Sequence, residues 1–312
     1  MPYKHIPVMQ REVIDFLNPR PGKIIVDGTM GGAGHARAIW EKISPTGTLI
    51  GIDEDQDAVH NAEKTLGNLS PNIHLVHDNF LHLPGILTKL TIDFVDGILL
   101  DLGLSLHHIE SSRRGFSFAR NEPLDMRMNT NLKETAADLL NTLDREHLIR
   151  LFREYGEEKW SGPIAEKIMA QRKTSGIETS GQLSDLVCRA VPLWVRKKRK
   201  IHPATKVFMA LRIAVNRELE VLDEFMSNVV DVLNPGGRLC VLSYHSLEDR
   251  IIKTRTRELE KGCTCPPEFP TCICNKKPQV RRVTRKGVKP TEEEVKKNPM
   301  SRSARLRVLE KL

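Results

Sequence analysis

Short apolar runs rich in β-branched residues, spaced by helix-compatible stretches, set the rhythm of the first third of the chain. Ile24-Ile-Val-Asp27 runs into glycines, and Thr48-Leu-Ile-Gly-Ile-Asp53 ends in an acid. Asn72-Ile-His-Leu-Val-His-Asp78 alternates, and Phe94-Val-Asp-Gly-Ile-Leu-Leu-Asp101 is nearly continuous. Runs of this kind predict βαβ units around a parallel sheet covered on both faces. Between Arg120 and His202 the rhythm stops, and helices are predicted over 131–143, 144–155, 158–172 and 180–191. Apolar residues at Phe208, Leu211, Val215, Leu219, Leu222, Met226, Val229 and Leu233 then follow the 3.6-residue period of one long helix, ended by Asn234-Pro-Gly-Gly237. A fifth strand is predicted over 238–243, and an antiparallel edge pair over 280–283 and 304–308. The pattern predicts an α/β fold with a mostly parallel sheet and an inserted helical domain. The expected divisions are 1–118, 119–205 and 206–312.

Composition narrows the classes. Of 312 residues, 39% are hydrophobic and 28% charged, which supports a packed core and excludes wholesale disorder. The net charge of +8 favours a polyanionic partner. No apolar run approaches membrane-spanning length, and the first residues lack the apolar stretch of a signal peptide. The expectation is a cytoplasmic protein without a membrane partner.

The segment Asp27-Gly-Thr-Met-Gly-Gly-Ala-Gly-His35 follows the first strand and opens a helix. Glycines there let the backbone approach a ligand and aim free N–H groups at it. A ligand-free tight turn and a dinucleotide site compete for the same pattern. Asp27 favours a different ligand: a carboxylate at the mouth of the turn repels a pyrophosphate and suits the ammonium and sulfonium of S-adenosylmethionine. Asp53 ends the second strand, where an acid accepts from ribose hydroxyls, and Phe80 follows the third, where an adenine would lie. Asp101 ends the fourth. Together with Asp78, these are four acids at four successive strand ends, on one rim of the sheet.

Eight blocks resemble the RsmH (MraW) family: His5-Ile-Pro-Val-Met, Asp27 to His35, Asp101-Leu-Gly-Leu-Ser105, Arg114-Gly-Phe-Ser-Phe118, Pro123-Leu-Asp-Met-Arg-Met128, His202-Pro-Ala-Thr-Lys-Val-Phe208, Ser243-Tyr-His-Ser-Leu-Glu-Asp249 and Arg302-Ser-Ala-Arg-Leu-Arg307. The resemblance implies a class I methyltransferase fold with a helical insert. It implies methylation of the exocyclic N4 of a cytidine in the decoding, P-site region of 16S rRNA, within the small ribosomal subunit. Cofactor contacts are expected at Ala33, Gly34, His35, Asp53, Phe80, Asp101 and His108, joined by Asp27, Gly31 and Gly32 of the turn. The stretch Ser105-Leu-His-His108 departs from the family's usual Ser-Ser-Pro-Gln, and Tyr244 stands where a Phe is common. The resemblance is also compatible with a homodimer.

Methyl transfer from a sulfonium needs positioning more than bond activation by the protein. The N4 lone pair of cytosine is delocalised, so an acceptor for its proton is sought: Asp101 first, then Ser105 and His245. Tyr244 and His245 follow the fifth strand and are expected to border a flipped base. The run Arg196-Lys-Lys-Arg-Lys200 (Arg196, Lys197, Lys198, Arg199, Lys200) and the basic stretch 276–289 are expected to bind RNA phosphates. Cys263, Cys265, Cys272 and Cys274 form two Cys-x-Cys pairs able to hold zinc, with a metal-free loop as the alternative. Two other functions stay open: a methyltransferase acting on another RNA or on DNA cytosine, and a non-catalytic RNA-binding protein with a zinc-stabilised loop.

Overall fold

The computed structural model describes residues 7–312 except 262, 264, 267, 272 and 275. The chain forms two compact units, one made of Met1–Gly103 with Leu219–Leu312, the other of Leu104–Glu218. The helical unit is thus larger than the expected 119–205. It takes in the Arg114 and Pro123 blocks and the helix Thr205–Asn216, whose Val207, Phe208, Ala210 and Leu211 belong to its core.

The first unit is built on seven strands: β1 (Ile24–Asp27), β2 (Thr48–Asp53), β3 (Ile73–His77), β4 (Val95–Asp101), β5 (Leu233–Ser243), β6 (Val280–Arg282) and β7 (Arg305–Lys311). Their order is β3-β2-β1-β4-β5-β7-β6, with β1 to β5 parallel and β7 antiparallel to both neighbours. The strand rhythm anticipated this mostly parallel sheet with an antiparallel edge pair. One face packs Val26, Ile50, Ile98 and Val241 into a core. The other packs Ile25, Leu49, Leu99 and Leu242 beneath the helix Gly34–Ile43.

Register decides where the strand-end acids point. Asp27 pairs with Gly51 and with Leu99. Side chains two residues apart share a face, so Asp27, Asp53 and Asp101 lie on one side of the sheet, the side covered by Gly34–Ile43. β1 also stops two residues short of its neighbours, which sets Asp27 below the rim. Gly51 leaves the room that Met30 of the turn occupies: a Cβ there would collide with the Met30 sulfur.

The second unit is helical. Ala136–Thr142, Arg145–Glu154, Ser161–Arg172 and Ser180–Ala190 fall within the predicted segments. The first starts late because the Arg127 guanidinium donates to the Thr130 and Leu132 carbonyls (3.0 and 2.6 Å) and holds that stretch in a turn. Thr135 then caps the helix. The third starts at Ser161 because the Glu158 carboxylate accepts from Trp160 N–H ahead of it.

The single long helix expected from Phe208 onward is instead two, Thr205–Asn216 and Glu218–Asn228, followed by a short 3-10 turn. Arg217 breaks them, with a left-handed φ of 51°. Asn216 holds the break: its side chain donates to the Met126 carbonyl (2.8 Å) and accepts from Met128 N–H (2.7 Å). The Asn234-Pro-Gly-Gly237 segment lies inside β5 rather than ending a helix. Among the described residues no helix is long and apolar enough to cross a membrane.

Candidate active site

The glycine-rich turn wraps the notch left by short β1. Gly28 N–H donates to the Leu99 carbonyl (2.9 Å) and Met30 N–H to that of Ile52 (3.1 Å), so the turn is tied to both neighbouring strands. Gly31 (φ 47°) and Ala33 (φ 60°) take left-handed backbone, and Ala33 opens the helix Gly34–Ile43. Gly28 is required by space: a Cβ would lie 2.5 Å from Leu100 Cδ2 and 3.1 Å from Phe80 Cβ. Gly32 and Gly34 complete the turn and the helix start.

Asp27 is fully buried, and among the described residues its Oδ2 has no hydrogen-bond partner. Its other oxygen accepts from Thr29 N–H at 3.2 Å. Burial, reinforced by repulsion from Asp101 and Asp53, pushes its pKa up to about 7. Asp101 is pushed up to about 7 by burial as well, against the bond it accepts from the Tyr244 hydroxyl at 2.6 Å. His35 Nε2 lies 3.6 Å from the other Asp101 oxygen. Thr29 Oγ1 accepts from Asp101 N–H at 2.6 Å. Asp53 accepts Gly31 N–H (2.8 Å) and Asp55 N–H (2.9 Å), which fixes the turn to β2. Phe80 stands edge-on to Phe225, centroids 5.1 Å apart.

Tyr244 and His245 follow β5, and both of their backbone N–H groups donate to Glu248 Oε2 (2.8 and 3.2 Å). His245 Nδ1 accepts from Glu248 N–H at 3.4 Å and its Nε2 lies 3.1 Å from the other Glu248 oxygen, so this imidazole is engaged at the helix start. The Tyr244 ring covers Gly103, where a Cβ would lie 3.3 Å from Cδ2. The pairing of Tyr244 with Asp101 and the supports from Thr29 and Glu248 are not visible in the sequence. The only signal is indirect: Asp101 pairs with Leu242, and Tyr244 is two residues further on.

Ser105 and His108 belong to the helical unit, where they satisfy each other. Ser105 Oγ accepts from His108 N–H (3.3 Å), and Ser105 N–H donates to His108 Nδ1 (3.2 Å). The basic run divides. Lys197, Lys198 and Lys200 are exposed, and Lys198 lies 5.8 Å from the centroid of an exposed Trp194. Arg196 is half-buried. Arg199 is a correction: its guanidinium forks onto the fully buried Glu158 carboxylate at 2.7 and 2.9 Å. In the second basic stretch, Arg281 and Arg282 are likewise paired, with Glu310 and Glu260. Cys263, Cys265 and Cys274 place their sulfurs within 4.8 Å of one another, and Cys272 lies outside the described residues.

A doubly wound sheet of this order, with an acid-lined glycine turn at its rim, defines a class I methyltransferase. The chain belongs to the MraW methylase family, whose model matches residues 2–312. It is 53% identical over 308 residues to the ribosomal RNA small subunit methyltransferase H of Desulforapulum autotrophicum, covering 99% of each chain. It is 50% identical over 312 residues to the protein of that name from Desulfosudis oleivorans and 48% identical over 312 residues to that of Geobacter sulfurreducens, covering 100% of each chain in both cases.

Two predictions follow from the charges. Because the folded pKa of Asp27 is raised, the cofactor-free fold keeps a proton that the unfolded chain releases near 3.8. The associated stability is complete below that value and lost as pH climbs through about 7. Asp27→Asn therefore melts at least about 2 °C above the natural protein at alkaline pH, and the two converge in acid. Equal melting at both ends, by scanning calorimetry without cofactor, contradicts the assignment. Arg199→Ala strands the buried Glu158 and costs about 3–5 kcal/mol in urea unfolding, whereas Lys197→Ala and Lys200→Ala leave stability unchanged. An Arg199→Ala protein as stable as the parent would return that residue to the surface.

Proposed function

We propose that this chain transfers the methyl group of S-adenosylmethionine to the exocyclic N4 of a cytidine in the P-site region of 16S rRNA, within the small ribosomal subunit. The names of relatives aligned over the whole chain support the rRNA substrate. The observation that carries the chemistry is the buried Asp27 oxygen beneath Asp53 and Asp101, unpartnered among the described residues, which fits a cationic ligand and repels a pyrophosphate. S-adenosylmethionine supplies an electrophilic methyl on a sulfonium that serves as its own leaving group.

The protein's residues then bind, orient and accept a proton. Asp27, Gly31, Gly32, Ala33, Gly34 and His35 hold the amino-acid end of the donor, with Asp53 and Phe80 on the nucleoside side. Asp101 takes the N4 proton, because an acceptor near neutral pKa both accepts and releases it at working pH. Tyr244 positions that carboxylate through the 2.6 Å bond. His245 is engaged with Glu248, which leaves Asp101 the stronger candidate of the two. Ser105 and His108 keep the supporting role of the helix cap they form. The exposed Lys197, Lys198 and Lys200 beside Trp194 suit phosphates and a stacked base.

Labelled-methyl transfer onto small subunits that lack the modification, followed by nucleoside mapping, tests this reading. Label is expected at cytidine N4, and Asp101→Asn is expected to lower kcat by about 100-fold or more with the fold intact. Label on another base, or near-normal turnover in Asp101→Asn, refutes the corresponding part.

We also propose a structural zinc held by Cys263, Cys265, Cys272 and Cys274, of which Cys263, Cys265 and Cys274 are among the described residues. A tetrahedral site with Zn–S near 2.3 Å brings its sulfurs to about 3.8 Å, and the three described sulfurs all lie within 4.8 Å of one another. Elemental analysis is expected to find one zinc per chain, lost in Cys265→Ser. A metal-free, fully active protein ends the assignment.

A further inference from the structure

Two sequence blocks far apart in the chain meet in one cavity of the first unit. Ser243 at the end of β5, with Tyr244, His245, Ser246, Asp249 and Arg250 beyond it, forms one wall, and residues 302–305, at the start of β7, form another. Lys253 and Lys289 complete it, and the volume is about 480 Å³, within the range of ligand sites. Nothing in the proposed chemistry uses the Arg302 block.

The lining is unbalanced in charge. Arg250, Lys253, Lys289, Arg302 and Arg305 contribute cations, and Asp249 is the acid among the lining residues. Asp249 is already neutralised: Arg307 donates to it at 2.7 and 3.1 Å, and Arg305 approaches at 3.5 Å. Glu248, the other acid of that first helical turn, is buried and directed at the Tyr244 and His245 amides. Lys253, Lys289 and Arg302 are exposed and have no ion-pair partner among the described residues. The 16-residue helix Ser246–Lys261 begins at the wall, so its dipole adds positive potential there. Tyr244 belongs to the same wall, and its hydroxyl reaches Asp101. The cavity therefore adjoins the acid that handles the reacting amine.

We propose that this cavity seats an RNA backbone phosphate next to the target nucleotide, with Arg302 and Lys253 as its principal ligands. The inference rests on the RNA methyltransferase reading and identifies how that substrate is gripped. A guanidinium forks onto two phosphate oxygens, and an ammonium adds a point charge. Such a contact positions the strand without reading its sequence. Arg302 and Lys253 are positioning residues, acting on where the base arrives rather than on the transfer.

The test is a Lys253→Ala, Arg302→Ala double variant of the full chain, assayed with small subunits over a range of salt. The KM for RNA is expected to rise about tenfold or more. Its logarithmic salt slope should become shallower by about one for each phosphate contact removed. Affinity for S-adenosylmethionine and kcat at saturating RNA are expected to move less than about twofold, since neither residue touches the reacting atoms. Unchanged KM and salt slope overturn the seat while leaving the methyltransferase reading intact. If the natural protein transfers no methyl group to small subunits, that reading fails by itself. The seat is then judged by binding of a fluorescent single-stranded oligoribonucleotide: weaker, less salt-dependent binding by the variant supports it, and equal binding overturns it.

Discussion

A carboxylate taken wholly out of water is unfavourable unless something positive meets it, and Asp27 is taken out of water next to two others. The rest of the site is arranged around that constraint. β1 ends early, so Asp27 sits below the rim, and the register puts Asp53 and Asp101 on the same face. The glycine turn folds into the notch and turns the Thr29 amide onto one Asp27 oxygen, while the other has no hydrogen-bond partner among the described residues. Without a ligand the protein answers with a proton, which is what a pKa near 7 means. A cationic ligand answers the same need with a fixed charge.

Asp101 meets the constraint differently. It is mostly shielded, with 11% of its side chain exposed, and Tyr244 donates to one oxygen while His35 approaches the other. Removal from water raises its pKa to about 7, against the lowering by the Tyr244 bond that holds the carboxylate in one orientation. A group so tuned can accept a proton and give it up again. Glu248 supports the arrangement from behind by fixing the Tyr244 backbone, so the geometry of β4 and β5 converges on one carboxylate.

Much of this was legible in the chain. Continuous β-branched runs ending in acids can satisfy their patterning only in a sheet covered on both faces, and the strands fall where those runs lie. The helix break at Arg217 was hidden, because the apolar stripe continues on both sides of a single left-handed residue. Charge alone also misassigned Arg199, whose partner Glu158 stands 41 positions away in sequence. Five adjacent cations look alike until folding buries an acid beside one of them. The cavity near Arg302 was hidden for a similar reason: its walls come from segments far apart in the chain that the pairing of β5 with β7 brings together.

Calorimetric titration of the natural protein with S-adenosylmethionine across neutral pH, in buffers of differing ionisation enthalpy, bears most directly on the buried-acid account. Asp27→Asn provides the reference that carries every titration belonging to the ligand. Relative to it, the affinity of the natural protein is predicted to climb by up to about tenfold per pH unit below the Asp27 pKa, with a proton released on binding, and to level off above it. Parallel pH profiles for the two proteins, with no extra proton released by the natural one, would contradict it.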